Sequence, residues 1–353
     1  MAIEALNSAD LKAVNTGGLI REDVMNKIWD ISRIPLPFTD LIGTGSSKNS
    51  YKEWTTDELA VPDVTNAVID GEDATGNDTK TGKRVGNHHQ ISDKVVRVSY
   101  RADASDTIGR AKELSYQLMR RQQELRRDVE AIALLNQDSV ADDGDTVAGN
   151  VGGLPTWLGS NNVNYGTDPG FDVGGTGTTV TSAGVVTADG ITITEANIRT
   201  VVEDIYLNGG NPTKLMAVPA VISQISEYLF TSSARVATLM SDQGTSSAKA
   251  TALGSVNVFV TDFGTLSLVP NRLQNSYGAA YATPSLTAAN SDVFILDPEY
   301  LSLCYLKGYR TDTLAKTGLA ENRQMSVDWS LIVNTEKAHG VIPSVLNAGT
   351  MTA

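Results

Sequence analysis

Residues 112–137, KELSYQLMRRQQELRRDVEAIALLNQ, place their apolar positions at the spacing of one helical face and contain no glycine or proline. Gln122 interrupts the apolar stripe, whose members are Ala111, Leu114, Leu118, Leu125, Val129 and Ile132. At about 1.5 Å per residue the helix would span roughly 40 Å, more than the width of a small domain. We therefore expect a spine helix that lies across a sheet. A coiled coil is the alternative, although the heptad pattern lasts for barely three turns.

Residues 51–100 have the pattern of one very long hairpin. The segments YKEWTTDEL and ISDKVVRVSYRA carry the β-branched and aromatic residues of strands, whereas the stretch between them is polar and rich in turn formers. Loops of this length inside compact domains are usually functional or disordered. Because a two-stranded ribbon has no core of its own and is marginal alone in water, it must pack against another surface.

Residues 1–50 have the pattern of an arm. Proline and glycine punctuate the end of this region, and its middle contains the amphipathic segment REDVMNKIWDISRI. Within that segment Val24, Ile28 and Ile31 recur at helical spacing. The sequence predicts a short helix here, and its apolar face needs a partner surface.

The rest of the chain alternates predicted helices and strands, which gives an α+β fold. Residues 138–190 are rich in glycine and threonine and predict a surface excursion, since such residues bury too little area to offset ordering of the chain. TEANIRTVVEDIYLNGG is a helix capped by Thr194 and stopped at Gly209. KLMAV is a buried strand that leads through Pro219 into another helix, and QMSVDWSLIVNTEKAHGVI is a last strand.

The composition narrows the class of protein. The chain has 28 basic and 41 acidic residues, a formal net charge of -13, so it lacks the overall basic character of a dedicated nucleic-acid binder. Cys304 is the only cysteine, which excludes an intrachain disulfide and favours a reducing compartment; we expect it to be a small buried residue. The N-terminus lacks the pattern of a secretion signal, and no stretch approaches 18 continuous apolar residues, so we expect neither standard secretion nor a membrane span.

Motifs for catalysis and ligand binding are scarce. GTGSSKNS departs from a phosphate-binding loop because two serines separate Gly45 from Lys48. His88 and His89 point to opposite sides of a strand, so they are expected to be exposed ribbon residues rather than joint metal ligands. The acidic stretch at Asp142, Asp143 and Asp145 lacks the closing glutamate of a calcium loop, and a solvated turn is expected. We therefore predict no catalytic, cofactor-binding or metal-binding residue.

The arginines of ELRRDVE are balanced by Glu124, Asp128 and Glu130, so this segment is expected to be an exposed helix face rather than a nucleic-acid patch. An arm, a long ribbon and a single long helix are elements that one compact subunit cannot fully cover. They indicate a subunit that is completed by its neighbours.

The order of these elements resembles the major capsid proteins of tailed bacteriophages with the Hong Kong 97-type fold. The resemblance rests on PLPFTDLIG followed by YKEWTTDEL, on RRDVEAIALLNQ at the end of the spine, on GNVGGLPTWLG after it, and on the C-terminal block LDPEYLSLCYLKGYRTDTLAKTGLAENRQMSVDWSLIVNTEKAHGVI. It covers most of the chain. The resemblance implies the following parts: an N-terminal arm (1–50), an extended loop (51–100), a peripheral domain with the spine (101–140), an insertion (141–190), a peripheral-domain helix (191–210), an axial domain (211–290), and a return to the peripheral domain (291–353).

The resemblance implies a structural, non-enzymatic function. The chain would assemble into pentamers and hexamers of an icosahedral shell, in the virion, after assembly in the host cytoplasm. Portal, scaffolding or decoration proteins would be partners, packaged double-stranded DNA would be contacted only non-specifically, and no cofactor or membrane would be involved. The residues expected to make assembly contacts lie in the arm and the extended loop: Trp29, Phe38, Trp54, Arg84, Val96 and Val98.

Three alternatives remain at this point. An encapsulin-like bacterial compartment would share the fold and would differ by binding an enzyme cargo peptide. A β-rich phage tail or adhesin protein would be a binding module, although the spine helix fits it poorly. An acidic-residue hydrolase would require a nucleophile paired with a base, which the sequence does not offer.

Overall fold

The computed structural model describes residues 25–32, 35–71, 73, 79, 81–166, 170–171, 178–229, 257–277, 284–285, 288–316 and 318–351. The helices in these residues are α1 (Pro37–Leu41), α2 (Tyr100–Ala104), α3 (Glu113–Ala133), α4 (Leu154–Trp157), α5 (Glu195–Leu207) and α6 (Pro219–Leu229). The strands are β1 (Gly43–Ser46), β2 (Tyr51–Thr56), β3 (Lys83–His88), β4 (Gln90–Ser99), β5 (Lys214–Ala217), β6 (Val258–Thr261), β7 (Gly264–Pro270), β8 (Ser276–Tyr277), β9 (Pro284–Ser285), β10 (Asn290–Leu296), β11 (Leu301–Thr313), β12 (Ala320–Val333) and β13 (Gly340–Leu346).

The spine helix is α3, and it lies across a sheet as the sequence predicts. Its buried apolar residues Leu125, Val129 and Ala133 belong to a core shared with β12, and the helix packs mainly on β4. The helix ends at Ala133, four residues before the predicted end. Beyond it, the Asn136 N–H donates to the Tyr277 hydroxyl at 2.9 Å, and this contact holds the chain outside the helical path.

A four-stranded sheet supports the spine, in the order β1-β11-β12-β4. β1 pairs with β11 in parallel, and the two long strands β11 and β12 form an antiparallel ladder. Cys304 lies in β11 and is fully buried, as expected.

The prediction of one hairpin over residues 51–100 is wrong for its second strand. β2 pairs with β3, so that Tyr51 faces His88 and Thr56 faces Lys83, whereas β4 pairs with β12 in the four-stranded sheet. β4 pairs with the long strand β12 over ten residue pairs, and its residues Val96 and Val98 are buried in the core. The ribbon therefore comprises residues 51–88, and β4 is part of the body.

A seven-stranded sheet, in which β6-β7-β5-β10-β8-β9 follow one another and β13 flanks β10, forms a second body. α5 and α6 cover this sheet and bury a second hydrophobic cluster with Leu215, Ile295 and Ile342. β10 and β13 pair in this sheet with β5 on the other side of β10, and α5 buries its apolar residues in the same cluster as Leu215 of β5. After β10 the chain leaves this sheet and forms β11 and β12 of the four-stranded sheet. It then returns as β13, which pairs with β10 in an antiparallel ladder.

The region 138–190 is not a surface excursion where it is described. Its large apolar side chains enter the first core beside the spine: Val151, Leu154, Trp157, Leu158, Tyr165, Phe171 and Val180. Glycine and threonine dominate the composition of this region. Its few large apolar residues nevertheless bury enough area to order the chain, which the prediction from composition did not take into account.

The helix α5 confirms the predicted caps. The Thr194 hydroxyl oxygen accepts a hydrogen bond from the Asn197 N–H at 3.0 Å, and Gly209 has a φ of +89° just after the helix. β5 leads through Val218 and Pro219 into α6, as predicted. The predicted last strand is instead two strands, β12 and β13, separated by a single 3-10 turn at Glu336–Ala338.

The predicted arm helix is also wrong for the residues that the structure describes. Residues 25–32 are not helical, and Val24 lies outside the described residues. The Gly109 N–H donates to Asn26 Oδ1 at 2.5 Å, and Asp30 pairs with Arg120 of the spine at 2.9 Å. These contacts hold the segment beside Gly109 and the first half of α3.

We predict that Gly153→Ala unfolds the first core. A Cβ at this position would lie 1.7 Å from the Leu135 carbonyl oxygen, a backbone atom that cannot move independently of the end of the spine. The loss of stability should be at least about 3 kcal/mol, measured by chemical denaturation. Gly308→Ala is the matched control, because no heavy atom lies within 4 Å of its Cβ position. Equal stability of the two variants would contradict the packing described for this turn.

Candidate assembly interface

The described part of the arm exposes large apolar side chains although both cores are filled. Trp29 is 75% exposed, and Met25 and Ile31 are also exposed. The side chains of Asn26 and Asp30 hold this segment to Gly109 and Arg120, whereas the large apolar side chains are exposed. Exposed apolar residues concentrated on one extended segment are typical of a contact with another molecule.

The ribbon beyond its paired strands exposes a second apolar set. Leu59, which lies between β2 and β3, is 95% exposed. The side chains of Val61, Val64, Val68 and Ile69 are also mostly exposed. The described residues of this stretch form no strand. The ribbon tip, defined here as the described residues within 57–82, thus carries apolar side chains that are exposed to water in the isolated subunit.

The predicted contact residues divide into two groups. Trp29 is exposed, and Arg84 is largely exposed while pairing with Glu53 at 3.0 Å. Trp54 is half-buried at the ribbon root. Phe38, Val96 and Val98, by contrast, are buried inside the subunit's own core, so their side chains cannot meet a neighbour in this conformation. Their alternation reflects packing of the four-stranded sheet and the spine rather than an outer contact.

An aromatic stack anchors the ribbon root to the body. The rings of Trp54 and Trp157 lie 5.5 Å apart, and those of Trp157 and Phe171 lie 5.0 Å apart. A cleft of about 510 Å³ opens beside this stack, between the root, Val333 and Lys337, and Lys337 Nζ reaches Glu58 at 2.7 Å. The root is therefore fixed by packing, and the start of the tip is held to the body by the Glu58–Lys337 pair, whereas Leu59, Val64 and Ile69 remain exposed.

The joint between the ribbon and the body is formed by His88 and His89. The prediction that both are exposed ribbon residues is wrong for His89, which is buried with its Nδ1 3.1 Å from an Asp328 carboxylate oxygen. His88 is half-buried, and its ring lies 4.5 Å from that of Tyr51. Burial lowers the pKa of both rings; Asp328 opposes the shift at His89, and Lys52 adds to it.

Glu130 is the residue that the sequence interpretation missed. The helix face ELRRDVE was expected to be exposed, yet Glu130 is fully buried and its carboxylate accepts hydrogen bonds from α1 and from Asn271. Burial raises the pKa of Glu130, and these hydrogen bonds oppose the shift. Its position next to Val129, at the border of the apolar stripe, is the signal that could have identified it.

The other acidic candidates form ordinary turns. The Asp143 carboxylate accepts from the N–H groups of Asp145, Thr146 and Val147, which holds its pKa well below the usual range. Within the described ranges, no group of three or more histidine, cysteine or acidic side chains is arranged to hold a metal ion. In the same part of the chain, no helix has both the length and the apolar character needed to cross a bilayer.

The architecture of a spine on one sheet, a projecting ribbon, an arm and a second large sheet is that of the Hong Kong 97-type shell proteins. Solved structures with this architecture align over nearly the full chain: the capsid of a native GTA particle (TM-score 0.59, 14% identity, 97% of this chain and 100% of that chain) and the capsid of cyanophage P-SCSP1u (0.55, 12%, 96% and 99%). The SrpI encapsulin of Synechococcus elongatus PCC 7942 is similar as well (0.54, 13%, 99% and 99%). These likenesses show the fold.

The family follows from the sequence. The family model described as SU10 major capsid protein matches residues 7–346, and the chain belongs to that family. The major capsid protein of Escherichia phage Phieco32 is 38% identical over 112 residues, which is 32% of this chain. The match spans about a third, 32%, of that curated relative.

We predict that acidification loosens the ribbon joint. An unfolded chain titrates histidine near pH 6.5, whereas the fold lowers the pKa of His88 and His89. Their stabilising contribution is therefore complete above about pH 6.5 and is lost as the pH falls through the lowered values. Hydrogen exchange in β2 and β3, corrected for intrinsic rates, should accelerate between pH 7.5 and pH 5.5 relative to α5.

The variant His89→Gln should weaken this pH dependence, because only His88 then titrates at the joint. An unchanged ratio of exchange between the ribbon strands and α5 across the same pH range would contradict the role of the joint.

Proposed function

We propose that the chain is the major capsid protein of a tailed bacteriophage and assembles with copies of itself into the icosahedral head shell, as part of the virion. The observation that carries the proposal is the pairing of filled cores with exposed apolar side chains on the arm and the ribbon tip. Membership of a major capsid protein family supports it. The neighbouring subunits would supply the cover that the isolated chain lacks.

Residues 25–32 of the arm and the ribbon root meet the body at different positions along the spine. The arm contacts Arg120 and Gly109, near the start of the helix, whereas the ribbon root packs on Trp157, which follows its end. The 13 residue steps from Arg120 to Ala133, the last residue of α3, rise by roughly 20 Å. Two different surfaces on one subunit give a head-to-tail interface, which closes into rings when its rotation allows.

The domain names are part of this proposal. The axial domain corresponds to the seven-stranded sheet with α5 and α6, and the peripheral domain to the four-stranded sheet with the spine. This assignment takes β10 and β13 into the axial domain. It keeps residues 1–50 as the arm and shortens the extended loop to residues 51–88.

Partners other than the chain itself follow from the same proposal. With 41 acidic and 28 basic residues, the subunit would confine packaged double-stranded DNA without binding it tightly. Portal, scaffolding or decoration proteins would complete the head, and assembly would take place in the host cytoplasm. We propose no cofactor and no catalytic step.

An encapsulin-like compartment is the second candidate, because the SrpI encapsulin shares the fold over 99% of both chains. At 13% identity this likeness concerns architecture alone. The family match favours the phage head over the encapsulin, over a tail or adhesin protein and over a hydrolase.

Replacing the exposed apolar residues of the ribbon tip should abolish shells and leave the subunit folded. The variant replaces Leu59, Val61, Val64, Val68 and Ile69 by serine. None of the five is buried, so the circular dichroism spectrum and the denaturation midpoint should be unchanged within about 0.5 kcal/mol of stability. Negative-stain electron microscopy would show free subunits or small rings.

The control for this variant is Val185→Ser together with Val147→Ser, which alter exposed apolar residues outside the ribbon. Shells of normal size from the ribbon-tip variant would remove the tip from the assembly contact.

Assembly should bury Trp29 and shift its fluorescence emission to shorter wavelength. Trp157 and Trp329 are fully buried and Trp54 is half-buried, so Trp29 is the tryptophan whose surroundings have most to change. The shift should appear in wild-type shells relative to free subunits and should be lost in Trp29→Phe. A shift that persists in Trp29→Phe would exclude Trp29 from the interface.

A further inference from the structure

Glu130 joins the root of the arm to the spine. Its Oε1 accepts the Phe38 N–H at 2.8 Å, and its Oε2 accepts the Thr39 N–H at 2.7 Å and also the Thr39 hydroxyl. α1 has a leucine at its N-cap position, and the side chain of Leu36 makes no capping hydrogen bond. The carboxylate of a residue about ninety positions away therefore caps the first turn of α1, which is the root of the arm.

The same carboxylate reaches the seven-stranded sheet. Asn271 follows β7, and its Nδ2 donates to Glu130 Oε1 at 2.8 Å. The amide of Asn271 is itself oriented, since its Oδ1 accepts the Leu273 N–H at 2.8 Å. The Asn275 side chain donates to the Ala131 carbonyl at 2.6 Å, which adds a second bond between this turn and the end of the spine. Glu130 is thus shared by the arm root, the spine and the second sheet.

Glu130 has no basic partner among the described ion pairs, which is uncommon for a buried carboxylate. Neutral donors satisfy it instead: two backbone N–H groups, a hydroxyl and an amide. An apolar residue of similar volume at this position would fill the core as well as Glu130 does. A carboxylate held only by neutral donors from two other segments fixes the geometry of those segments relative to the helix, because each bond is directional.

We propose that Glu130 is a positioning residue for assembly, which fixes the direction in which the arm leaves the subunit and couples that direction to the seven-stranded sheet. The expected effect on shell assembly rests on the proposed function. The hydrogen bonds of Glu130 to Phe38, Thr39 and Asn271, called the latch from here on, are a property of the single subunit. The arm leaves α1 through Pro35 and Leu36 and meets the spine again at Arg120. An arm whose root turns would therefore carry Trp29 away from the position in which a neighbour can cover it.

Glu130→Gln tests the latch. The amide offers one acceptor oxygen where the carboxylate offers two, so at least one of the Phe38 and Thr39 N–H groups loses its partner, which corresponds to an exchange rate about tenfold faster or more. Hydrogen exchange of a peptide covering residues 36–46 in the free subunit measures this change, and electron microscopy measures shells. We expect faster exchange at the arm root, unchanged exchange in α5, and few or irregular shells.

Two controls separate positioning from general stability. Glu124→Gln changes an acidic residue of the same helix that pairs with Arg121 at the surface, and it should leave exchange and shells as in the wild type. Thr39→Val removes the hydroxyl bond alone, whereas Thr39→Ser retains it. Thr39→Val should have the effect of Glu130→Gln in weaker form, and Thr39→Ser should restore wild-type behaviour.

A double variant, Glu130→Gln with Asn271→Asp, reverses the amide and carboxylate between spine and sheet. It should restore protection around residue 271 while the arm root stays fast in exchange and shells stay defective. Wild-type exchange at the arm root in Glu130→Gln, or normal shells despite fast exchange in both Glu130→Gln and Thr39→Val, would overturn the proposal. If the wild type forms no shells, the proposed function fails, and the exchange data on free subunits still decide whether the latch exists.

Discussion

The structure depends on the burial of the last third of the spine between two sheets. Leu125, Val129 and Ala133 fill the core beneath β4 and β12, while the end of the helix meets the turn after β7. One helical stretch therefore contacts both bodies of the subunit. Since a packed core tolerates little displacement, the relative position of the two sheets is set here, and the arm root is attached to the same point through Glu130.

Because of this constraint, the body of the subunit stays folded although some of its segments expose apolar side chains. The two cores are closed without any contribution from residues 25–32 of the arm or from the described residues of the ribbon tip, so these segments can expose Trp29 and Leu59 without unfolding the body. Apolar area in water is unfavourable by roughly 25 cal/mol per Å². That free energy is recovered only on contact with another surface, and in the proposed assembly neighbouring copies of the chain supply this surface.

The sequence predicts the parts whose signals are local. The helix α5 was predictable from Thr194 and Gly209, because a cap and a left-handed glycine act within one turn. The partner of β2 was not predictable, since both β3 and β4 have strand-like residues and the choice depends on β12, more than two hundred positions later. The exposure of Trp29 was expected, whereas the burial of Phe38, Val96 and Val98 required knowledge of the side that faces the spine.

Glu130 and His89 illustrate why a polar residue in a helix or a strand is difficult to interpret from sequence. Both were assigned to exposed faces, and both are buried with partners that lie far away in the chain: Asp328 for His89, and Thr39 with Asn271 for Glu130. A buried polar group is costly unless it is satisfied, so each retained polar residue marks a place where directional bonds were needed in addition to packing. In this subunit the two places are the joints of the ribbon and of the arm, whose direction relative to the body would decide whether a neighbouring copy can cover them in the proposed assembly.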